Sequence, residues 1–426
     1  MSLNILDHPF LQTDEGPISL CEAFKGTTRR LSGDPQKRII GMKLLLAVAQ
    51  SALTLKTPKE LAALSNESLS AACLSYLDKW RSVFDIDDKV HPFLQFPELQ
   101  HIKSFNALRG MPGHLAGENT ACISSGSLTD RALSDEERIW CVLHAVVFPA
   151  TGKKWKRVDL DGEPVGRKCE RAGALGFNGY LHSFMEGKSL LDTVRLNLLC
   201  EADLKDLPVF QNGIGRAPWE DMSVFHHASG EDRYRHTLMG RLVPMTRYVW
   251  LGTGLHGAFG LDCVPIEAGG ADPSVTLLPV KGGKVPFTAL YCSSNDPEWR
   301  LALRSIGYFS EKGEVSLTGP KSLHAQECLP RAVNDPAFLG IWAGGRSITF
   351  KSGEQLTTHN DVERSITLVL HSPEDVIEKA GALDALAFRF ETALSGFYQA
   401  NGAHKDDAKT LVLTTTETIS KSFRIR

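Results

Sequence analysis

Motifs of the common catalytic classes are missing from this sequence. Its 426 residues contain no P-loop, no GxSxG and no HExxH, so nucleotide-driven, serine-hydrolase and zincin chemistry lose their usual sequence support. An excess of positive charge is missing too, because 50 acidic residues outnumber 47 basic ones and the net charge is −3. A general basic coat for nucleic acid is therefore excluded, and any such partner must be bound by local patches.

Paired cysteines and long apolar runs are also lacking. The nine cysteines are scattered without a CxxC pair, which favours a reducing compartment and argues against structural zinc. No run of about 18 apolar residues occurs, and the first residues do not form a basic leader followed by an apolar core. We therefore expect a cytoplasmic protein with no metal, no cofactor and no membrane partner.

The first third of the chain is predicted to be helical. Residues 35 to 53 are apolar nearly all round, which predicts a buried helix. Capping boxes at Thr57–Glu60 and Ser134–Glu137 predict two further helix starts. An apolar stripe from Leu69 to Phe84 predicts an amphipathic helix. His91-Pro92 then predicts an extended segment, since the residue before proline avoids helical space.

The later part is predicted to be rich in β-structure. After a short helix from Ser189 to about Cys200, the helical period fades until Ser372 while glycine pairs and β-branched residues take over. Hairpins are predicted between residues 275 and 292 and between residues 341 and 370, the second with its tip at 351–354. A last helix is predicted from Val376 to about Gln399. We thus expect an α+β fold, with a large mixed domain over residues 1–371 and a reduced C-terminal helical region over residues 372–426.

Basic charge is concentrated between Thr151 and Ala172. Glycines and prolines interrupt this stretch, so a regular helix face is not expected. Its seven basic residues are Lys153, Lys154, Lys156, Arg157, Arg167, Lys168 and Arg171. An irregular basic loop of this kind is typical of phosphate contact, whereas the alternative is a solvated loop whose charges only aid solubility. Trp155 suits stacking on a base in the first case and anchoring the loop to the core in the second.

Two histidine groups are the candidates for a metal site or a nuclease centre. One is His226-His227 with His236, and the other is His359-Asn360-Asp361 with His371. Neither spacing fits a defined ligand set, and such residues are more often ordinary core or loop histidines. A metal-dependent nuclease and a stand-alone nucleic-acid-binding protein are the alternative functions that the residues leave open.

Several segments, in order over about residues 15 to 400, resemble a known family. The clearest piece is an aromatic helix, with Trp80 and Phe84, that runs into His91-Pro92-Phe93-Leu94-Gln95. The other pieces are Ile18-Ser19-Leu20, Ser183-Phe184-Met185-Glu186-Gly187, Pro218-Trp219-Glu220, Gly240-Arg241-Leu242 with Pro244-Met245-Thr246-Arg247, and Gly344-Gly345-Arg346. Together they resemble the large subunit of the type I-E CRISPR surveillance complex Cascade, the family often called CasA.

The resemblance implies a subunit that catalyses nothing, recognises the protospacer-adjacent motif (PAM) on duplex DNA and promotes R-loop formation by the guide RNA. Its implied partners are the other Cascade subunits, the CRISPR guide RNA, double-stranded target DNA, and a helicase-nuclease or another nuclease. The resemblance assigns contact with the guide RNA and neighbouring subunits to Ile123, Ser124, Ser125 and Gly126. It assigns contact with the PAM to Val165, Gly166, Arg167 and Lys168. It assigns opening of the duplex to the hairpin tip, which consists of Lys351, Ser352, Gly353, Glu354 and Gln355.

Three features depart from the family pattern. The glycine loop carries Arg167 and Lys168, and no lysine or arginine occurs between Arg247 and Lys281, where the family places a lysine in the minor groove. Only one helix is predicted after Ser372, where the family has a four-helix bundle. These departures affect the PAM contacts and the recruitment of a nuclease.

Overall fold

The computed structural model is a mixture of helices and short antiparallel strands, so the predicted α+β class is confirmed. It describes residues 2–26, 29–104, 107, 132–148, 158–166, 175, 179–205, 207–261, 272–279, 287–292, 328–351, 354–367, 373–404, 407–408 and 411–412. The helices are α1 (Leu20–Ala23), α2 (Pro35–Ala52), α3 (Pro58–Ala62), α4 (Asn66–Lys79), α5 (Asp135–Val147), α6 (Leu190–Leu196), α7 (Glu201–Leu204), α8 (Ala228–Arg235), α9 (Met239–Leu242), α10 (Leu329–Ala332) and α11 (Pro373–Ala400). The strands are β1 (Leu11–Thr13), β2 (Gly16–Ile18), β3 (Val158–Leu160), β4 (Glu163–Val165), β5 (His182–Gly187), β6 (Arg247–Leu251), β7 (Leu255–Phe259), β8 (Leu277–Pro279), β9 (Phe287–Ala289), β10 (Phe338–Lys351) and β11 (Glu354–Thr367).

Helix α2 is the centre of the core, as its apolar composition predicts. It begins at Pro35, and the side chain of the N-cap residue Asp34 accepts a hydrogen bond from the Gln36 amide. Almost every residue from Ile39 to Gln50 is buried. A helix buried on all sides needs neighbours all round, and α4, α5, α6 and β10 pack on it.

The capping boxes mark helix starts, as predicted. Thr57 caps α3 and Ser134 caps α5, each with the glutamate three residues later completing the reciprocal bond. The apolar stripe that begins at Leu69 forms α4, which ends at Lys79, and a 3₁₀-helix over Arg81–Phe84 follows it. The predicted helix is therefore split at Trp80, the C-cap of α4.

The segment after Pro92 differs from the predicted extended conformation. Phe93 and Leu94 form a turn, and Leu94 has a positive φ of 55°. Tertiary contacts explain the difference, because Phe93 stacks on Phe84 with ring centroids 5.1 Å apart. Buried Gln95 donates to the carbonyl oxygen of Ile86 (2.9 Å) and accepts from the amide of Leu251 (2.8 Å). These contacts outweigh the local preference for extended backbone.

Four short helices occur where the periodicity predicts none. Helices α7, α8, α9 and α10 lie in the region where the fading helical pattern predicts strands and loops, so that prediction is wrong there. In α8 only Glu231 and Tyr234 are buried. A helix that buries a single apolar side chain leaves no apolar period in the sequence.

Both predicted hairpins are present. Strands β8 and β9 pair over three residues each. Strands β10 and β11 pair from Gly340↔Thr367 to Lys351↔Glu354, which places the connection at positions 352 and 353, as predicted. Strand β5 pairs with the other edge of β10 and completes a three-stranded sheet.

The β6–β7 hairpin clarifies one sequence pattern. Residues 252–257 read GTGLHG and so fit GxGxxG. A dinucleotide site needs that pattern between a strand and a helix, whereas here it joins Leu251 to the antiparallel strand β7. The pattern therefore indicates a turn and not a nucleotide site.

The last described helix, α11, covers the predicted Val376–Gln399 segment. Large apolar side chains on it are exposed, among them Leu386 and Phe397. Within the described residues, no helix combines the length and apolar character that crossing a membrane requires. The division of the chain at residue 371 stays a prediction.

Candidate nucleic-acid interface

A β-hairpin lies inside the basic stretch that the sequence predicts to be an irregular loop. Strands β3 and β4 pair from Val158↔Val165 to Leu160↔Glu163. Their turn consists of Asp161 and Gly162, both with positive φ, at 49° and 82°. That is the conformation of a type I′ turn, for which Asp-Gly flanked by alternating apolar residues is the known sequence signal. The signal is present in VDLDGEPV, and the loop interpretation missed it.

The hairpin brings the two basic runs to a common origin. Val158 and Val165 are paired neighbours at its open end. The run Lys153, Lys154, Lys156 and Arg157 enters the hairpin at this end, and the run Arg167, Lys168 and Arg171 leaves from it. These seven residues themselves lie outside the described part of the chain. Both runs are thus attached to the same end of one hairpin.

Acidic side chains occupy the opposite end of the same hairpin. The Asp161 carboxylate lies 2.5 Å from Nδ1 of His226, and Glu163 Oε2 lies 3.5 Å from Nδ1 of His227. The hydrogen bond and charge of His226 lower the pKa of Asp161. Each strand has three residues, so the turn and the open end of the hairpin lie about 10 Å apart. The carboxylates of Asp161 and Glu163 thus lie at the turn, whereas Asp159 lies on β3 next to Val158, near the open end.

Gly166 follows directly after β4 and has a left-handed backbone conformation, with a φ of 71°. Residues with a Cβ are strained in this conformation, whereas glycine is not. Its amide donates a hydrogen bond of 2.9 Å to Oε1 of Glu231 on α8. Glu231 is buried and also accepts a hydrogen bond from the Tyr248 hydroxyl on β6. The N–H of Gly166, predicted to approach nucleic acid, is therefore directed into the protein.

The Tyr248 hydroxyl is fixed by its surroundings. Burial, and next the negative charge of Glu231, raise the pKa of Tyr248, so the hydroxyl keeps its proton and donates. The Tyr248 ring packs against Phe96 with centroids 4.4 Å apart. Glu231 thus links α8, on which it lies, to Tyr248 of β6.

A second candidate element is the end of the β10–β11 hairpin. The last residue of β10 that pairs with β5 is Gly344, and Gly345 and Arg346 still lie beside Tyr180 and Asp34. From residue 347 to Lys351, the strand that pairs with β10 within the described residues is β11. At about 3.3 Å per residue these five residues span about 16 Å. Lys351, Glu354 and Gln355 lie at its end, while Ser352 and Gly353 fall outside the described residues.

The base of this hairpin is firmly anchored. The Trp342 ring stacks on Phe184 of β5 with centroids 5.9 Å apart. The Arg38 guanidinium lies 4.9 Å from the Trp342 ring centroid and 2.5 Å from a carboxylate oxygen of Glu186. Arg346 pairs with the α2 cap residue Asp34 at 3.4 Å. These contacts tie β10 to α2 and β5.

The two candidate elements stand on different supports. The β3–β4 hairpin rests on α8 and the neighbouring 3₁₀-helix over Met222–His226, and the β10–β11 hairpin rests on α2 and β5. The predicted guide-RNA segment Ile123, Ser124, Ser125 and Gly126 lies outside the described residues.

The histidine candidates have other partners. His226 and His227 contact the hairpin carboxylates, and Nδ1 of His236 lies 2.8 Å from the Asp232 carbonyl oxygen. His359, Asn360 and Asp361 are strand residues of β11, and His371 lies outside the described part. Within the described ranges, no group of three His, Cys, Asp or Glu side chains is placed to hold a metal ion. The described residues thus provide no set of metal ligands that would support the nuclease hypothesis.

Comparison with known proteins identifies the family. The model of the family described as CRISPR-associated protein Cse1 matches residues 4–416, nearly the whole chain. This chain belongs to the Cse1 family. The predicted resemblance is confirmed, since Cse1 and CasA are two names for one protein in a solved Thermus thermophilus structure. A comparison with curated protein sequences found no match.

Solved Cse1 structures share the fold. Thermobifida fusca Cse1 is 20% identical with a TM-score of 0.68, over 100% of this chain and 85% of that one. Thermus thermophilus CasA is 15% identical with a TM-score of 0.58, over 98% of this chain and 91% of that one. A chain of a CRISPR RNA-guided surveillance complex is 17% identical with a TM-score of 0.65, over 94% of this chain and 84% of that one. At these identities the likeness concerns the fold alone.

The segments that carry the Cse1 resemblance mostly build the core. Trp219 packs on Phe84 and Phe93, with centroids 5.3 Å and 5.8 Å away, and its indole N–H donates to the Tyr76 hydroxyl at 2.8 Å. That hydroxyl in turn donates to Glu220 at 2.6 Å. A Cβ added to Gly345 would lie 2.4 Å from the Tyr180 carbonyl oxygen, so this position requires glycine. Sequence signatures of the Cse1 fold are therefore largely packing residues.

Proposed function

We propose that this Cse1-family protein is the non-catalytic large subunit of a guide-RNA-directed CRISPR surveillance complex. It recognises the PAM on double-stranded target DNA and promotes duplex opening and R-loop formation. Its partners are the other Cascade subunits, the guide RNA, the target DNA and a nuclease that cleaves the target. Family membership and the fold shared with a chain of an RNA-guided surveillance complex support the assignment.

The β3–β4 hairpin is the observation that carries the DNA-binding proposal, because both basic runs are attached to its open end. A protein with net charge −3 repels DNA on average. At the other end of the hairpin, histidines engage the carboxylates of Asp161 and Glu163. The cations of the two runs are proposed to supply the local positive charge that DNA binding needs. Cations of this kind fix the register of a protein on the phosphates without reading sequence.

The β10–β11 hairpin suits the opening of the duplex. It is anchored through Trp342 and Arg346, and it extends without a third strand toward Lys351. R-loop formation is a near-balanced exchange of one duplex for another. A rigid projection that stabilises the first unpaired bases therefore has a large effect on the outcome. Ile123 to Gly126 are assigned to the guide RNA and neighbouring subunits.

The experiment measures binding of target duplex by the assembled complex as a function of salt. Each lost phosphate contact lowers the slope of log K against log salt by about 0.9. Replacing four cations by alanine is expected to lower the slope by up to about 3.6 and to weaken binding at least about tenfold at 0.15 M salt. The four positions are Lys153, Lys154, Arg167 and Lys168. Unchanged affinity and slope would refute the interface.

Two controls sharpen the result. Four exposed lysines on other parts of the surface are replaced by alanine, which removes the same charge, and the affinity should stay near that of the wild type. These are Lys56, Lys59, Lys89 and Lys205. A second variant, with Lys351 and Gln355 replaced by alanine, should bind a target with a pre-opened bubble normally and the closed duplex more weakly. Equal loss on both targets would contradict a role in opening.

A further inference from the structure

We infer that a β-bulge in strand β11 sets the direction in which the end of the β10–β11 hairpin leaves its support. The bulge consists of Thr358, His359 and Asn360, which lie opposite the single residue Ser347 of β10. The inference rests on the proposed function, because its consequence is the opening of duplex DNA by the end of this hairpin. His359 and Asn360, which the sequence offers as candidates for a nuclease centre, thereby have a positioning role through their backbone.

The bulge is defined by the register of the two strands. Pairing with β11 is regular over residues 340–346 of β10, the inner ladder, and again over residues 348–351, the outer ladder. Between the two ladders β10 contributes one residue and β11 contributes three, so β11 has two residues in excess. Such an excess interrupts the ladder, bends the bulged strand and increases its twist. The outer ladder therefore continues in a direction different from that of the inner ladder.

The size of the bulge preserves the two faces of the strand. The faces alternate with a period of two residues, so a shift by one residue would exchange them. An excess of two residues keeps this period in phase on both sides of the bulge. The bulge thus changes the direction of the outer ladder without exchanging its faces.

The bulge lies where the described support of the hairpin ends. Strand β5 pairs with β10 as far as Gly344. Arg346 pairs with Asp34, the N-cap residue of α2, at 3.4 Å. The next residue of β10, Ser347, already lies opposite the bulge. Among the described contacts, the anchored part of β10 therefore ends directly at the bulge, and the bulge determines the path of the outer ladder.

Protection of a sheet edge is the purely structural alternative. Strand β11 is an edge strand of the three-stranded sheet, and bulges on edge strands hinder pairing with other chains. Such protection would work at any point along the 14 residues of β11. A bulge placed directly at the end of the anchored part favours the positioning role.

The test removes the bulge in the assembled complex and measures binding to a closed target duplex and to a target with a pre-opened bubble. Deleting Thr358 and His359 leaves one residue on each strand between the ladders, so the pairing becomes regular. We expect the affinity for the closed duplex to fall about tenfold, which corresponds to the stacking of about one base-pair step that the hairpin no longer opens. The affinity for the bubble target should stay near that of the wild type.

The matched control combines Thr358→Ala with His359→Ala, which keeps the bulge and removes the two side chains. It should bind both targets as the wild type does. If it loses as much closed-duplex affinity as the deletion, the side chains and not the bulge are responsible, and the inference is overturned. Equal loss on both targets by the deletion variant would also overturn it.

The edge-protection alternative predicts a different pattern for the deletion. In that case the complex self-associates or its melting temperature falls, while the affinity for the closed duplex stays that of the wild type, which would overturn the inference. If the deletion variant does not fold, two alanines are inserted after Ser347, so that each strand has three residues between the ladders. This insertion should also weaken binding of the closed duplex selectively, and wild-type affinity would refute the positioning role.

Failure of this inference and failure of the proposed function are distinguishable. If alanine at Lys351 and Gln355 leaves binding of the closed duplex unchanged, the hairpin does not open DNA and that part of the proposed function fails. If those changes weaken binding of the closed duplex but removal of the bulge does not, the opening role stands and only the positioning role of the bulge is refuted.

Discussion

Lowering the pH is expected to destabilise this protein through one buried histidine, His182 of β5. Its Nδ1 lies 2.8 Å from the Ser274 hydroxyl, which itself donates to the carboxylate of Asp272 at 2.8 Å. Because the Ser274 proton is used there, Nδ1 of His182 carries the hydrogen and donates to Ser274. Nε2 is then unprotonated, and it has no hydrogen-bond partner among the described residues. A second proton on His182 would be buried without an acceptor.

The magnitude follows from the pKa of His182. Burial, partly offset by the charge of Asp272, lowers this pKa from 6.5 to about 3. Below pH 6.5 the unfolded chain therefore binds a proton at His182 that the folded protein does not bind, and the free energy of unfolding falls as the pH falls. The loss is about 1.4 kcal/mol per pH unit. Between pH 6.5 and pH 5 it amounts to about 2 kcal/mol, a large part of a typical domain's stability.

The neighbouring Asp272 does not confound this window. Burial opposes its ionisation, but the charges of Lys43, whose Nζ lies 2.6 Å away, and of His182, together with hydrogen bonds from Lys43 and Ser274, outweigh burial and lower the pKa of Asp272. Its stabilising contribution is fully present above its unfolded pKa of 3.8 and is lost only at lower pH. The change between pH 6.5 and pH 5 is thus assigned to His182.

The assay is denaturant unfolding of the wild type and of His182→Gln at several pH values from 5 to 8. The difference between their unfolding free energies should change by about 2 kcal/mol between pH 6.5 and pH 5, because glutamine cannot titrate. His404→Gln, at an exposed histidine, is the matched control and should keep the wild-type profile. Parallel pH profiles for the wild type and His182→Gln would refute the reasoning.

Two further predictions concern the supports of the β10–β11 hairpin. Lys43→Met leaves the buried Asp272 carboxylate without its ammonium partner and should lower the free energy of unfolding by about 3–5 kcal/mol. Adding Asp272→Asn should recover much of this loss. If urea unfolding shows a loss below about 1 kcal/mol for Lys43→Met, the buried ion pair is contradicted. Gly345→Ala places a Cβ 2.4 Å from the Tyr180 carbonyl oxygen and should lower the melting temperature. Gly396→Ala is the control, because a Cβ at this position of the exposed helix has no atom within 4 Å, and it should raise the free energy of unfolding by up to about 1 kcal/mol. Equal melting temperatures for the two glycine variants would show that β10 can move away from Tyr180.

The parts of the fold that sequence reasoning predicts well are those in which local signals agree with tertiary contacts. Helix α2 is apolar all round and is buried all round. The capping boxes of α3 and α5 satisfy backbone groups within four residues, so they act whatever packs beside them. The register of β10 and β11, which ends at Lys351↔Glu354, likewise agrees with the tip that the sequence predicts.

The failures arise where distant residues decide the local structure. Leu94 has a positive φ because Phe93 and Gln95 are held by Phe84 and Leu251, and those partners cannot be found by inspecting the residues around Pro92. Helix α8 is missed because its one buried apolar residue, Tyr234, provides no period.

The basic stretch shows how far composition alone leads. Counting its cations and glycines predicts a phosphate-binding loop, but this count treats Asp161 and Glu163 as dilution of the positive charge. With the Asp-Gly turn recognised, the same residues are placed at the far end of a hairpin, where His226 and His227 engage them. The hairpin then attaches both basic runs at one end. The hydrogen bond from the Gly166 amide to Glu231 stays beyond sequence reasoning, since 65 residues separate the two.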